Sequence, residues 1–137
     1  MAIEVNGMAP LIQVYDMARS VGFYRDVLGF EMVDSSEEVD TPEGRTFHWC
    51  WLRLGDVHLM LNTAYDVGER PDEPDPDRIE GHRDIGLFFD CPDPDAAAAH
   101  LRAHGLEIEG PDTAPYGMRQ LWLRDPDGYV LCFQAPA

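Results

Sequence analysis

The chain has 137 residues, enough for one compact domain or for two small modules that share a core. Its hydrophobic content of 45%, with 3 Trp, 6 Phe and 5 Tyr, indicates a globular fold and excludes a disordered chain. The 26 acidic and 10 basic residues give a formal net charge of -16. A field of this sign repels nucleic acid and anionic membranes and attracts small cations, although an acidic surface also simply keeps a protein soluble.

The cysteines favour a reducing compartment. Cys50, Cys91 and Cys132 are scattered along the chain, odd in number and without CxxC spacing. No apolar run is long enough for a membrane span or an export signal. We therefore predict a cytoplasmic protein with no nucleic-acid or membrane partner.

The chain begins with a predicted strand and helix. β-branched and aromatic residues over 9–15 predict the strand. Asp16 is a typical helix cap, and the apolar spacing that follows predicts a helix over 17–28. Gly29 ends this helix.

Three further elements complete the first half. Residues 30–35 alternate as a second strand, and 36–44 form a polar connection. Residues 46–54 and 56–62 predict a hairpin with a Gly-Asp turn. Alternation along the return strand places His58, Met60 and Asn62 on one face.

The second half follows an acidic, proline-rich segment over 64–83, which we interpret as an exposed linker, with a lid as the alternative. A strand over 84–90 carries the run Leu87-Phe88-Phe89, which predicts a buried position. A helix over 92–104 starts near Asp93 and stops at Gly105.

The last elements are a strand over 106–109, a loop over 110–117 and a hairpin over 120–134. Its turn is Asp125-Pro126-Asp127-Gly128, in which the proline sets φ and the Asp-Gly pair tolerates positive φ. The order of strand, helix, glycine stop and hairpin thus occurs twice. This repetition indicates two copies of one supersecondary module.

The two copies carry the motifs DMARSVGFYRDVLGF and PYGMRQLWLRDPDGYVLCF. With these motifs the chain resembles the vicinal oxygen chelate superfamily, which contains glyoxalases, bleomycin resistance proteins and dioxygenases. The resemblance implies an α+β fold of two βαβββ modules whose curled mixed sheets surround a cavity. The chain, 1–137, would then be one glyoxalase-like domain with modules over 9–63 and 84–134 and the linker over 64–83.

Metal-dependent members of that family hold an ion through four side chains. Carried over to this chain, those positions fall on Ala9, Met60, Asp84 and Cys132. Alanine has no donor atom, and a methionine thioether is a poor ligand for the ions those enzymes use. We therefore expect no metal and no cofactor.

Two functions follow from the resemblance. The first is a metal-free protein of the bleomycin-resistance type, a homodimer or an internally paired monomer, that sequesters a planar or cationic ligand in an aromatic-lined groove. The alternative is a metal-dependent glyoxalase or dioxygenase, a lyase or oxidoreductase, with a non-standard set drawn from His48, His58, His82 and Asp84 and with no catalytic residue identified. The predicted ligand-binding residues are Gln13, Trp49, Trp51, His58, Met60, Tyr116, Arg119 and Cys132.

Overall fold

The structure is a computed structural model that describes residues 1–137. The chain divides into two compact units, Met1–Arg70 and Pro71–Ala137. Each unit contains one four-stranded mixed sheet with the same arrangement of strands, and the predicted α+β class is confirmed. None of the helices combines the length and the hydrophobicity that a membrane crossing requires.

The first unit has six strands and one helix. Its four-stranded sheet has the order β1-β6-β5-β2, in which β1 is parallel to β6 and the other pairs are antiparallel. β3 and β4 form a separate hairpin. The elements are β1 (Leu11–Val14), α1 (Met17–Val21), which continues as a π-helix over Gly22–Val27, β2 (Glu31–Ser35), β3 (Val39–Thr41), β4 (Gly44–Thr46), β5 (Trp49–Leu54) and β6 (Val57–Thr63).

Three predictions in this unit need correction. The helix predicted over 17–28 is α-helical only to Val21, and Gly22, a poor α-helix former, begins a wider π turn. The connection predicted over 36–44 forms most of the β3–β4 hairpin, which runs to Thr46, and the strand predicted from residue 46 begins at Trp49. The turn of the hairpin begins at Thr41, whose hydroxyl donates to the Gly44 carbonyl oxygen at 2.6 Å. A proline at the second turn position and a glycine at the fourth favour this turn.

The second unit repeats the sheet. The strand order is β7-β10-β9-β8, with β7 parallel to β10 and the other pairs antiparallel. The elements are α2 (Pro76–Gly81), a 3-10 turn over His82–Asp84, β7 (Gly86–Asp90), α3 (Pro94–Ala103), β8 (Asp112–Thr113), β9 (Met118–Arg124) and β10 (Val130–Pro136).

The prediction of a strand over 106–109 was wrong, because these residues form no strand in the structure. Arg102 explains its absence, because the guanidinium Nη2 donates to the carbonyl oxygens of Ile108 at 2.9 Å and Gly110 at 2.7 Å. These backbone acceptors are occupied by a side chain and take no part in a strand ladder. The strand that pairs with β9 is instead β8, further along the chain.

The segment predicted as an extended linker contains α2. Asp75 caps this helix by accepting a hydrogen bond from the Asp77 amide at 2.9 Å, and Pro76 occupies the first helical position. The predicted strand over 84–90 is also shorter, because Asp84 belongs to the 3-10 turn and β7 begins at Gly86.

Each sheet buries the face that packs against its helix. In the first unit the alternate residues Ile12, Val14, Leu52 and Leu61 are buried. In the second, the buried sheet residues pack with α3 and include Leu121, Leu131 and Phe133. Because side chains alternate along a strand, the residues between these point to the opposite side of each sheet, which we call the open face.

Candidate functional site

The open face of the first sheet gathers most of the predicted ligand-binding residues. Strand pairing places Leu11, Met60 and Trp51 in one row across β1, β6 and β5. Gln13, Asn62 and Trp49 form the next row in the same way. His58 lies two residues from Met60 on the same face. The structure therefore brings five of the predicted residues together: Gln13, Trp49, Trp51, His58 and Met60.

The polar atoms of this face bond to one another. The Trp51 Nε1 donates to His58 Nδ1 at 3.0 Å, and the two rings lie 5.5 Å apart. Asn62 donates from Nδ2 to the Gln13 Oε1 at 3.3 Å. Because Nδ1 of His58 accepts, the proton of the neutral ring is on Nε2, which leaves Nε2 as the donor of this side chain. The face thus combines indole surface with a fixed pattern of polar groups.

The open face of the second sheet has an aromatic pair at its centre. Phe88 on β7, Cys132 on β10 and Trp122 on β9 form one cross-strand row. Phe88 and Trp122 are 55% and 46% exposed, and their rings meet edge to face at 5.3 Å. Cys132 between them is 0% exposed. The two rings therefore lean over the cysteine and present aromatic surface to solvent.

Burial of Phe88 was predicted incorrectly from the run Leu87-Phe88-Phe89. Period-two alternation sends Phe89 to the helix face, where it is buried, and Phe88 to the open face. Trp122 was missed as well, although it alternates with the buried Leu121. Alternation alone was the signal that could have identified both aromatic residues.

A chain of hydrogen bonds borders the aromatic pair. The Tyr116 hydroxyl donates to Gln120 Oε1 at 2.9 Å, and Gln120 Nε2 donates to Gln134 Oε1 at 2.9 Å. Gln120 is 6% exposed, so both ends of its amide must be paired. These hydrogen bonds fix which atom of each amide accepts and which donates, and they hold Tyr116 beside the open face. Gln120 and Gln134 belong to the candidate site and were missed in the sequence analysis.

Arg119 does not join this group. Its neighbour Gln120 faces the open side, so Arg119 points to the helix side, where Nη2 lies 2.8 Å from Oδ1 of Asp95 on α3. Hydrogen bonding from the Arg119 guanidinium lowers the pKa of Asp95. The structure thus separates Arg119 from Tyr116, because adjacent strand residues face opposite sides of a sheet.

In neither unit do the positions carried over from the metal-dependent family bring ion ligands together. Ala9 and Asp84 both precede their strands, and the partners of Met60 and Cys132 on the first strand of each unit are Leu11 and Phe88. These neighbours are hydrocarbon side chains, and Cys132 lies beneath aromatic rings. The donor set does not fit the ion that the family's enzymes hold.

The alternative set of histidines is engaged locally. His48 Nδ1 lies 3.0 Å from the Thr63 hydroxyl. His82 stacks on Tyr129 with ring centroids 4.0 Å apart, and its Nδ1 lies 2.7 Å from the Asp127 carbonyl oxygen. The structure contains no group of three or more His, Cys, Asp or Glu side chains that could hold a metal ion. No chemical step through an ion follows from this geometry.

The two mixed sheets have equivalent strand orders, and each packs against a helix on one face. The protein therefore belongs to the class of α+β proteins built from two copies of one module. The chain belongs to the Glyoxalase/Bleomycin resistance protein/Dioxygenase superfamily, whose family model matches residues 7–133. This membership confirms the family that the motifs indicated. No curated protein matches the sequence.

Solved structures with a similar fold include antibiotic-binding proteins. TnmS3, an antibiotic binding protein from Streptomyces sp. CB03234, is 22% identical with a TM-score of 0.67, over 99% of this chain and 100% of its own. A bleomycin-binding protein complexed with bleomycin is 18% identical with a TM-score of 0.69, over 97% and 100%. A bleomycin resistance determinant encoded on the transposon Tn5 is 18% identical with a TM-score of 0.67, over 96% and 98%. At these identities the likeness establishes the fold.

The buried thiols are expected to be unreactive. Burial raises the pKa of Cys50 to about 11 and raises that of Cys132, and both side chains are inaccessible. With iodoacetamide at about pH 8, we expect Cys91 to be alkylated at least ~100-fold faster than either, because thiolate and access both control the rate. Peptide mass mapping of native samples measures this, with urea-unfolded protein as the control. Equal alkylation of Cys132 and Cys91 in the native protein would contradict the burial of Cys132.

Proposed function

We propose that the protein binds a small planar or cationic organic ligand on its open faces and sequesters it in the cytoplasm without a metal ion. The observation that carries the proposal is the exposed pair of Phe88 and Trp122, whose rings meet at 5.3 Å at the centre of a sheet. Large aromatic side chains at such a place would normally be buried. A planar ligand that stacks on them would remove their surface from water.

The electrostatics favour a cationic ligand. The chain carries a net charge of -16, so its field raises the local concentration of cations. Indole and phenyl faces attract cations through their quadrupoles, with tryptophan the strongest. All three tryptophans, Trp49, Trp51 and Trp122, lie on open faces. Their placement supports a ligand that combines a flat ring system with positive charge.

Polar groups beside the aromatic pair would select one orientation of the ligand. Gln120 and Gln134 present a fixed amide pattern beside the aromatic pair, and Tyr116 is 70% exposed at the end of this chain. A buried amide that loses its partner is costly, so a ligand must either respect this pattern or replace its bonds. The arrangement is typical of a pocket in which apolar surface supplies affinity and a few polar atoms supply specificity.

We also propose that the protein is a homodimer, as the resemblance to groove-forming members of the family implies. Leu11, Phe88 and Trp122 leave apolar surface on the open faces, which a second copy and the ligand together would cover. Light scattering should then give a mass near twice the 15.5 kDa of one chain. A monomer at micromolar concentration would contradict this arrangement.

Binding should depend on the aromatic pair. We expect bleomycin, added to chelator-treated protein, to quench the tryptophan fluorescence, and the Trp122→Ala and Phe88→Ala variants to weaken its affinity at least ~10-fold, because central aromatic side chains dominate binding energy. Calorimetry measures the affinity of the Trp122→Ala variant, which has lost one reporter. Val57→Ala, at an exposed residue of β6 outside the open face, is the matched control.

Two results would overturn the proposal. If the affinity of a bound probe were unchanged in both aromatic variants, the open face of the second sheet would not be the binding surface. If binding of bleomycin and of a panel of planar organic cations were absent in chelator and appeared only with added Zn²⁺ or Ni²⁺, the protein would act through an ion. The metal-dependent enzyme would then replace the binding protein.

A further inference from the structure

The first unit contains a pocket that lies away from its open face. The pocket has a volume of about 150 Å³, room for a small functional group rather than a whole drug-sized molecule. Its walls come from the start of α1, the β3–β4 hairpin and the segment over 65–70. They also include His48, just before β5, and Thr63, at the end of β6. His48 and Thr63 of this wall point to the helix side of the sheet, unlike Trp49 and Asn62.

Arg70 is one of the residues that line this pocket. Its guanidinium carbon sits 4.8 Å from the centre of the Tyr15 ring, which is within the range of a cation–π interaction. Its Nη1 lies 3.6 Å from Asp16 Oδ2 and its Nη2 lies 3.3 Å from Glu43 Oε1. The side chain is 25% exposed. A guanidinium is therefore recognised here by one aromatic face and two carboxylates from separate elements.

The surroundings extend this recognition. Tyr65 meets Tyr15 edge to face, with ring centroids 6.3 Å apart, and Asp66 is a third carboxylate in the wall. The other arginine of the wall, Arg45, pairs with Glu38 at 3.3 Å and Asp40 at 3.7 Å, outside the pocket lining. The wall thus carries three carboxylates, of which Asp16 and Glu43 contact Arg70. The guanidinium carbon of Arg19 also lies near the Tyr15 ring, 5.5 Å from its centre. A cation that takes the place of Arg70 would keep this charge balance, whereas an anion would add to the negative charge of the carboxylates.

We propose that this pocket is a second binding site, for a small organic cation of the alkylguanidinium or alkylammonium class, and that Arg70 in its wall holds the cation contacts as an internal stand-in until such a cation displaces it. The proposal does not depend on the open faces. Arg70 belongs to an irregular segment after β6, so its side chain can leave the pocket without breaking a strand or a helix. The ligand would make the same contacts with Tyr15, Asp16 and Glu43.

An internal occupant lowers the apparent affinity of a ligand by the fraction of time that the site is open. Removing the Arg70 guanidinium should therefore tighten binding. With butylguanidinium as the probe, we expect the Arg70→Gln variant to bind at least ~10-fold more tightly than the unmodified protein. Butylurea has nearly the same shape without the charge and should show no binding to either. Isothermal calorimetry and ligand-observed NMR measure both probes.

The control is Arg83→Gln, which removes the same charge from an exposed arginine paired only with Glu80 and should leave the affinity unchanged. Adding Glu43→Gln to Arg70→Gln should weaken probe binding at least ~5-fold, because one of the two carboxylates is lost. Glu43 is exposed on a hairpin, so this change should not affect folding.

Three outcomes would refute the proposal. The first is that Arg70→Gln fails to strengthen the binding of butylguanidinium. The second is that butylurea binds as tightly as butylguanidinium. The third is that adding Glu43→Gln to Arg70→Gln leaves the affinity unchanged. If Arg70→Gln destabilises the unit, butylguanidinium should raise the melting temperature of this variant and butylurea should not, because the cation restores the contacts that Arg70 made. Equal effects of the two probes on the melting temperature would also refute the proposal. Failure here would leave the aromatic pair of the second unit, and its bleomycin test, untouched.

Discussion

Replacement of Gly128 by alanine is expected to lower the free energy of unfolding by about 4 kcal/mol. Two costs add at this position. Gly128 has a φ of +88°, which costs an alanine about 1–2 kcal/mol. A Cβ atom there would also lie 2.6 Å from the carbonyl oxygen of Ile79 and 2.8 Å from its Cγ2. The backbone at Ile79 would then have to move away from the new Cβ atom. Overpacking of this kind typically costs a further ~1–3 kcal/mol.

Gly117→Ala separates the two costs. Gly117 has nearly the same φ, +87°, but a Cβ atom would meet nothing within 4 Å. We expect Gly117→Ala to lower the free energy of unfolding by about 1–2 kcal/mol, the cost of a positive φ alone. Urea unfolding followed by circular dichroism measures both variants. Equal losses would show that α2 shifts away from the Asp125–Gly128 turn at no cost.

The consequence of Gly128→Ala extends beyond the turn. The Asp125 carboxylate accepts hydrogen bonds from the amides of Asp127 and Tyr129, and His82, just after α2, stacks on Tyr129. The turn therefore serves as the docking surface for the α2 segment. Displacing Ile79 should also loosen the His82 contact, which would appear as faster amide exchange over residues 76–84.

Tyr24→Ala is expected to cost about 4 kcal/mol of stability. Tyr24 is 0% exposed in the π-helical turn, and its ring meets Phe23 at 5.1 Å and Phe30 at 5.8 Å, both edge to face. Alanine would leave a cavity of nearly a whole ring between partners that cannot close it. The loss combines the transfer energy of the ring with that cavity and with two aromatic contacts.

Two variants serve as controls for this prediction. Tyr24→Phe keeps the ring and removes only the hydroxyl, so a loss of about 1 kcal/mol is expected. Tyr116→Ala removes a ring that is 70% exposed and the hydrogen bond that it donates to Gln120, so a loss of only about 1 kcal/mol is expected. Thermal and urea unfolding measure all three. A Tyr24→Ala protein as stable as Tyr116→Ala would mean that the helix repacks without the ring.

The contrast between Tyr24 and Tyr116 also separates stability from binding. Buried side chains on the helix faces contribute to stability, whereas the exposed side chains of the open faces form the proposed ligand surface. Leu121 and Trp122 are adjacent on β9, yet the first is 0% and the second 46% exposed. We expect substitutions at the first to act on unfolding and at the second to act on affinity.

The sequence by itself determined the repeated module, most strand positions and the face shared by His58 and Met60. These features depend on local physics: alternation along strands, cap residues such as Asp16 and Asp93, and turn residues at the hairpins. The family was indicated by the resemblance of the two sequence motifs, and alternation placed Trp49 and Trp51 on one face of the first sheet.

Tertiary structure decided the rest, because the controlling partner in each case belongs to a different element of the fold. Arg102 occupies the carbonyl groups of a predicted strand, Asp95 draws Arg119 to the helix face, and Phe88 and Trp122 cover Cys132. Gly128 needed its positive φ for the turn, and that much was readable locally. Its close approach to Ile79, separated by almost fifty residues, depends on packing between elements, and no local pattern encodes such contacts.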